Sequence, residues 1–134
     1  MKHFEKLVIY ARKDLGAGDE YDNYRPRLDT VRRIAAALPT AHVQIVGASW
    51  CGDCRRQIPR FAAVAERLSG WTIELLGDDA ATRAELEIQA IPTFIVRSAE
   101  GGKELGRIVE TPSGDSLEDD LLAIAKAHPS QIVA

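Results

Sequence analysis

"SWCGDCRR", residues 49–56, holds the only two cysteines of this 134-residue chain. Cys51 and Cys54 stand three positions apart. An apolar run, "HVQIVGA" at 42–48, precedes them, and a stretch with helical periodicity follows. Three uses fit such a pair: a redox couple, half of a metal site, or a structural staple. The choice depends on the surrounding elements and on the compartment.

The totals narrow the field. The length suits about one domain, long enough to bury a sizeable core. Basic and acidic residues number 17 and 20, giving a net charge of −3, and they are spread along the chain. No basic stripe is present to follow a phosphate backbone, so a nucleic-acid partner is not expected. The N-terminal stretch "MKHFEKLVIYARKDL" is too charged, and its apolar part too short, for a signal peptide. No apolar run approaches about 18 residues, so no membrane span is expected. The expected location is a reducing cytoplasm. There a lone C-x-x-C is more often catalytic or metal-binding than structural.

Working outward, "HVQIVGA" reads as a short buried strand. The next helix runs from about Cys51 to Leu68, with Ile58, Phe61, Ala62, Ala65 and Leu68 inward and Gly70 as its stop. Upstream, "RLDTVRRIAAAL" places Leu28, Val31, Ile34, Ala35 and Leu38 on one helical face, ended by Pro39. "KHFEKLVIYARKDL" spaces Phe4, Leu7, Val8, Ala11 and Leu15 as a helix, although its centre "LVIY" also fits a strand. "GAGDEYDNYRP", 16–26, is polar and rich in breakers, hence a loop. Downstream come a strand "WTIELL" at 71–76, a helix over 79–88 capped from "GDD", and two strands, "IPTFIV" and "KELGRIV". The last two are joined by "SAEGG" as a hairpin. A capped amphipathic helix, "SGDSLEDDLLAIAKAH", closes the series with Leu117, Leu121, Ile124 and Ala125 inside. The acids Asp115, Glu118, Asp119 and Asp120 around its first turn complement the helix dipole. This order predicts an α/β fold: a mixed sheet of about four strands with helices on both faces. The expected layout is one domain over 1–134, with an N-terminal helical extension (1–26) and a core (27–128).

The dithiol needs a stabilised thiolate, because the anion is the nucleophile. Cys51 falls where a strand gives way to a helix, whose N-terminus offers unpaired N–H groups and about half a positive charge. Arg55 and Arg56 follow within one turn. The spacing lets both sulfurs approach each other, the first outward and the second beneath it.

On these residues the sequence resembles the thioredoxin family. "ASWCGDC" is similar to its W-C-x-x-C active site, and "IQAIPTF" to its Ile-Pro-Thr segment with a cis proline. Pro59, five residues after Cys54, matches the proline inside its active-site helix. "GKELGR" resembles a hairpin whose glycine, here Gly106, lies near the site. The resemblance covers roughly residues 28–127 and implies a thioredoxin-like fold. It implies Cys51 as nucleophile and Cys54 as resolving thiol in a redox-active disulfide, with no bound organic cofactor. Trp50, Ile91, Pro92, Thr93 and Gly106 would form the substrate surface, and Asp53 and Arg55 would tune the thiol pKa. Clients would be disulfide-containing proteins, and electrons would come from NADPH through a reductase or from a low-molecular-weight thiol.

The chain departs from the family pattern in three places. Asp53 replaces the usual proline between the cysteines. Ile45 stands where a buried aspartate often helps deprotonate the resolving thiol, so Asp53 or a water is expected to take that proton. Gly47 replaces a bulky aromatic. The other readings compare poorly. A disulfide closing so short a loop removes only about 2 kcal/mol of chain entropy. Zinc wants four ligands, and His3, His42 and His128, the only histidines, are placed away from the cysteines. A binding module that keeps the fold but docks partners on the Trp50–Pro92 surface without catalysis is the main alternative, and a metal or cluster carrier is the third.

Overall fold

The computed structural model describes residues 3–99 and 102–128. The described elements are α1 (His3–Ile9), a π-helical segment (Tyr10–Asp14), α2 (Gly18–Asn23), α3 (Leu28–Ala37), β1 (Ala41–Gly47) and α4 (Gly52–Ala65). They continue with β2 (Trp71–Gly77), α5 (Ala80–Leu86), β3 (Thr93–Arg97), β4 (Glu104–Val109) and α6 (Leu117–Lys126). Residues 100–101 of the expected hairpin connection, the side chain of His3 and both ends of the 1–134 span lie outside the described residues.

The four strands form one mixed sheet in the order β2-β1-β3-β4. β1 and β2 run parallel, from Ala41 opposite Trp71 to Gly47 opposite Gly77. β3 lies antiparallel to β1, and β4 antiparallel to β3, with Val46 opposite Thr93 and Thr93 opposite Val109. This is the predicted thioredoxin-like α/β architecture with its N-terminal helix. The register puts Val43, Val96 and Gly106 on one face. α4 and α6 cover that face, α3 packs on α6, and α1 lies against β2 and α4. Phe61 of α4 meets Phe94 of β3 with ring centroids 5.2 Å apart, a pair contributing about 1 kcal/mol beyond its burial.

The second face carries α5 near β4, where the Arg107 guanidinium donates to the carbonyls of Leu86 and Glu87. The rest of that face is a polar ladder. His42 Nδ1 lies 2.7 Å from Thr72 Oγ1, Gln44 donates to Glu74, and Arg97 donates to Gln44. The helix layer is thus concentrated on one side. Alternation along β1 encodes this, with Val43 and Ile45 facing inward and His42 and Gln44 outward.

The extension shares the core. Leu7, Ala11 and Leu15, spaced by four, are buried in the same hydrophobic cluster as the sheet. The first segment is therefore a helix, as its spacing predicts. It widens into a π turn closed by Leu15 N–H on the Tyr10 carbonyl, and Gly16 ends it in the left-handed region. Residues 16–26 are not simply a loop, because α2 forms there. Its six residues bury nothing; it stands because its own side chains and the adjoining Tyr24 are anchored. Arg60 donates to Glu20 and stacks on Tyr24, Tyr21 donates to Glu66, and Arg12 is paired with Asp22. Tertiary partners override a sequence that favours turns.

Two further expectations change. Leu28, placed on the inner face of α3, is 48% exposed, since it occupies the first helical position before the face turns inward. Gly70 does not stop α4 as a left-handed cap, for the helix ends at Ala65 and Gly70 has no positive φ. A Cβ at Gly70 would lie 2.2 Å from the Pro39 carbonyl oxygen. Close backbone approach is what requires glycine there.

Candidate functional site

The end of β1 and the start of α4 place the cysteines. Cys51 is the N-cap of α4, in extended conformation, and its Sγ accepts from the Cys54 N–H at 3.2 Å. A sulfur thus takes the capping position usually filled by a hydroxyl or carboxylate oxygen, facing the positive end of a 14-residue helix. Across the site, the Cys51 thiol points to the Ile91 carbonyl at 3.7 Å, and the Ile91–Pro92 bond is cis. Both cysteines are free thiols. Cys51 is partly exposed, whereas Cys54 is fully buried.

The two sulfurs differ in environment. Burial pushes the Cys54 thiol up to about 12, reinforced by its hydrogen bond with Cys51 and by the charges of Cys51 and Asp53; a backbone contact at Ala48 opposes the rise. Ile45 is buried in the core, so the strand beneath Cys54 supplies no acid. Gly47 leaves no room for the missing aromatic: a Cβ there would sit 2.8 Å from Ile58 Cδ1 and 3.3 Å from Cys54 Sγ.

The other expected site residues divide into those that reach the surface and those that do not. Trp50 is 69% exposed beside Cys51. Arg55 does not contact a sulfur; its guanidinium donates to the Trp50 carbonyl at 3.5 Å. Asp53 accepts from Arg56 at 2.7 Å. Ile91 is nearly buried and presents its carbonyl to Cys51. Thr93 is fully buried, and its hydroxyl donates to the Ala90 carbonyl at 2.6 Å. It braces the proline loop and has no face for a client, contrary to its expected place in the substrate surface.

Gly106 is a clear correction. It pairs with Val96, three residues along β3 from Thr93, and a Cβ there would meet Ile124 at 2.8 Å. It makes room for α6 and does not border the cysteines. The residue that does adjoin the proline loop is Glu110, whose N–H donates to the Pro92 carbonyl at 2.7 Å and whose φ is +64°. No glycine marks that position in the sequence, and the nearest hairpin glycine is Gly106.

Two more residues were missed. Tyr10, in the π turn, packs half-buried on the core; burial raises its phenol pKa, and so do the charges of Cys54, Asp14 and Cys51. The extension therefore comes within electrostatic reach of the dithiol. Glu118, read as a dipole-compensating acid, is 1% exposed and accepts from Tyr24 Oη at 2.7 Å and Arg27 N at 2.9 Å. It fastens the chain entering α3 to α6. Only the hydrophobic spacing around Glu118 hinted at its burial.

His42 lies at the far end of β1 from Cys51, engaged with Thr72. Among the described residues no cluster of three or more His, Cys, Asp or Glu side chains is arranged to hold a metal ion. No described helix is long and apolar enough to cross a membrane.

Comparisons with known proteins converge on this arrangement. A protein of unknown function from Pseudomonas aeruginosa superposes with a TM-score of 0.55 at 21% identity, over 98% of this chain and 85% of that one. An HIV epitope-scaffold gives 0.54 at 20% identity, over 98% and 81%. These likenesses concern the fold. In sequence, Thioredoxin H2-1 of Oryza sativa subsp. japonica is 34% identical over 87 residues, which cover 62% of this chain and 59% of the rice protein's length. The thioredoxin family pattern matches residues 9–116, reaching back into the extension and across both the W-C-G-D-C and Ile-Pro-Thr segments. With most of its length inside that match, the chain belongs to the thioredoxin family.

Proposed function

We propose that this protein is a thiol–disulfide oxidoreductase that reduces disulfides in client proteins. The observation that carries the reading is the Cys51 sulfur: partly exposed, capping α4 through the Cys54 N–H, and facing the carbonyl before Pro92. The non-catalytic docking module has no comparable need for this asymmetry between two thiols.

The Cys51 thiolate attacks one sulfur of the client disulfide. A Cys51–client S–S bond forms, the client S–S bond breaks, and the departing client sulfur leaves as thiolate and takes a proton. The Cys54 thiolate then attacks Cys51 Sγ. The intramolecular disulfide forms and the second client thiolate is released and protonated. Two electrons and two protons pass to the client. Timing follows from the environment. While Cys51 is a thiol or thiolate, its hydrogen bond and charge help keep Cys54 protonated. In the mixed disulfide both contributions are gone, so Cys54 becomes more acidic when its attack is needed. Its proton passes to water or to Asp53, and Asp53→Asn separates these: an unchanged resolving rate and pH profile removes Asp53 from the role.

Electrons would return to the Cys51–Cys54 disulfide from an NADPH-dependent reductase or a low-molecular-weight thiol, with no resident organic cofactor, in a reducing cytoplasm. Trp50 and the backbone of the Ile91–Pro92 loop, whose two residues are largely buried, would form the docking surface. The test is trapping. Cys54→Ser should accumulate a mixed disulfide through Cys51, and Cys51→Ser should accumulate none. If neither variant traps an adduct, the mechanism is refuted.

A further inference from the structure

The rim of the site carries two charges that the mechanism does not use. Arg55 is exposed, and among the described residues its guanidinium meets only the neutral Trp50 carbonyl, at 3.5 Å. Glu110 is exposed, and its carboxylate has no hydrogen-bond or ion-pair partner among the described residues. The neighbouring charges Asp53 and Arg56 neutralise each other at 2.7 Å. The two free charges reach the neighbourhood of the sulfur from different elements. Arg55, on α4, reaches the carbonyl of Trp50, the residue before Cys51. Glu110 follows β4, and its N–H is bonded to the Pro92 carbonyl, next to the Ile91 carbonyl that Cys51 Sγ meets. Glu110 holds a left-handed backbone at φ +64°, a conformation that favours glycine.

We infer that Arg55 and Glu110 are specificity-determining residues that read the charge order of a client segment, favouring an acidic side chain on the Arg55 flank of the client cysteine and a basic one on the Glu110 flank. This rests on the thiol–disulfide reading above. The occupant is an extended peptide. In such a segment the residues two before and two after the cysteine point to the same side as its sulfur, roughly 7 Å away in each direction. Those are the side chains that would meet the rim, so the site distinguishes the two orders of the same composition.

The experiment uses symmetric disulfides of two short peptides, Lys-Ala-Cys-Ala-Glu and Glu-Ala-Cys-Ala-Lys, with blocked ends. Their net charge and composition are identical. Pre-reduced protein is mixed with each in a single turnover, so no reductant is required. Wild type should reduce one order about fivefold faster at ~0.1 M ionic strength, and the difference should shrink at about 0.5 M. Arg55→Glu combined with Glu110→Arg should reverse the order. Arg55→Gln and Glu110→Gln, neutral changes at exposed positions, should each weaken the preference. Equal rates for the two peptides, or a preference unchanged in the exchanged variant, overturn the inference. A control peptide with Gln at both flanks separates the two levels: if wild type fails to reduce it, the proposed function itself falls, and this inference with it.

Discussion

Cys54 in the folded, reduced protein should be far less reactive than the same cysteine in the unfolded chain. Its pKa rises from 9.0 to about 12, with burial as the leading cause. Three units lower its thiolate fraction at neutral pH by about a thousandfold. A more basic thiolate is also a better nucleophile, with a Brønsted coefficient of about 0.4–0.5, which returns roughly twentyfold. Ionisation alone therefore slows Cys54 by about fiftyfold, and its full burial slows it further. The assay is a time course with iodoacetamide at neutral pH, read by mass spectrometry of the two cysteine peptides in native protein and in urea. Cys54 should lag its unfolded rate by about fiftyfold or more, and Cys51 should be alkylated first. In Cys51→Ser the charge of Cys51 is lost, but burial and a hydroxyl able to hydrogen-bond remain, so Cys54 should stay slow. Native Cys54 reacting as fast as unfolded Cys54 would refute the account of the buried thiol.

The same shift sets a pH dependence. Between pH 9 and about 12 the unfolded chain releases the Cys54 proton while the native state keeps it. Stability of the reduced protein should fall as pH rises through that window, more steeply than that of the oxidised protein, in denaturant titrations. Glu118→Ala leaves Tyr24 Oη and Arg27 N without their acceptor, and chemical unfolding should show a loss of about 3 kcal/mol. Gly70→Ala drives a Cβ toward the Pro39 carbonyl and should cost about 2 kcal/mol by the same measurement. Gly106→Ala should destabilise by about 1–2 kcal/mol through Ile124, with disulfide reduction per folded molecule unchanged. Trp50→Ala, at a 69% exposed position, should slow reduction of a protein disulfide several-fold while leaving a small disulfide nearly unaffected.

The fold was legible where sequence chemistry is local. Alternation in "HVQIVGA", the apolar stripe of α4 and the capped amphipathic pattern of α6 each point to one structure, and together with the two motifs they specify the sheet and the dithiol's place on it. What was not legible depends on contacts between distant segments. α2 forms because Glu20, Tyr21 and Tyr24 find Arg60, Glu66 and Glu118, partners from roughly 40 to 94 positions away. Glu118 looks like its acidic neighbours until the incoming chain buries it. Gly70 and Gly106 are both required by close approach, of a carbonyl in one case and a helix in the other, and no local pattern distinguishes these from a cap or a binding turn. Glu110 escaped notice because the left-handed backbone beside Pro92 is held by a hydrogen bond rather than marked by a glycine.

The most direct measurement is a thiol count across one turnover. Reduced protein is mixed with one equivalent of a protein disulfide, acid-quenched, and the free thiols of each partner are assigned by mass spectrometry. The account predicts that two thiols disappear from this chain, at Cys51 and Cys54 as an intramolecular bond, while two appear in the client. A chain that retains both thiols, or ends joined to a second copy through Cys51, would contradict it.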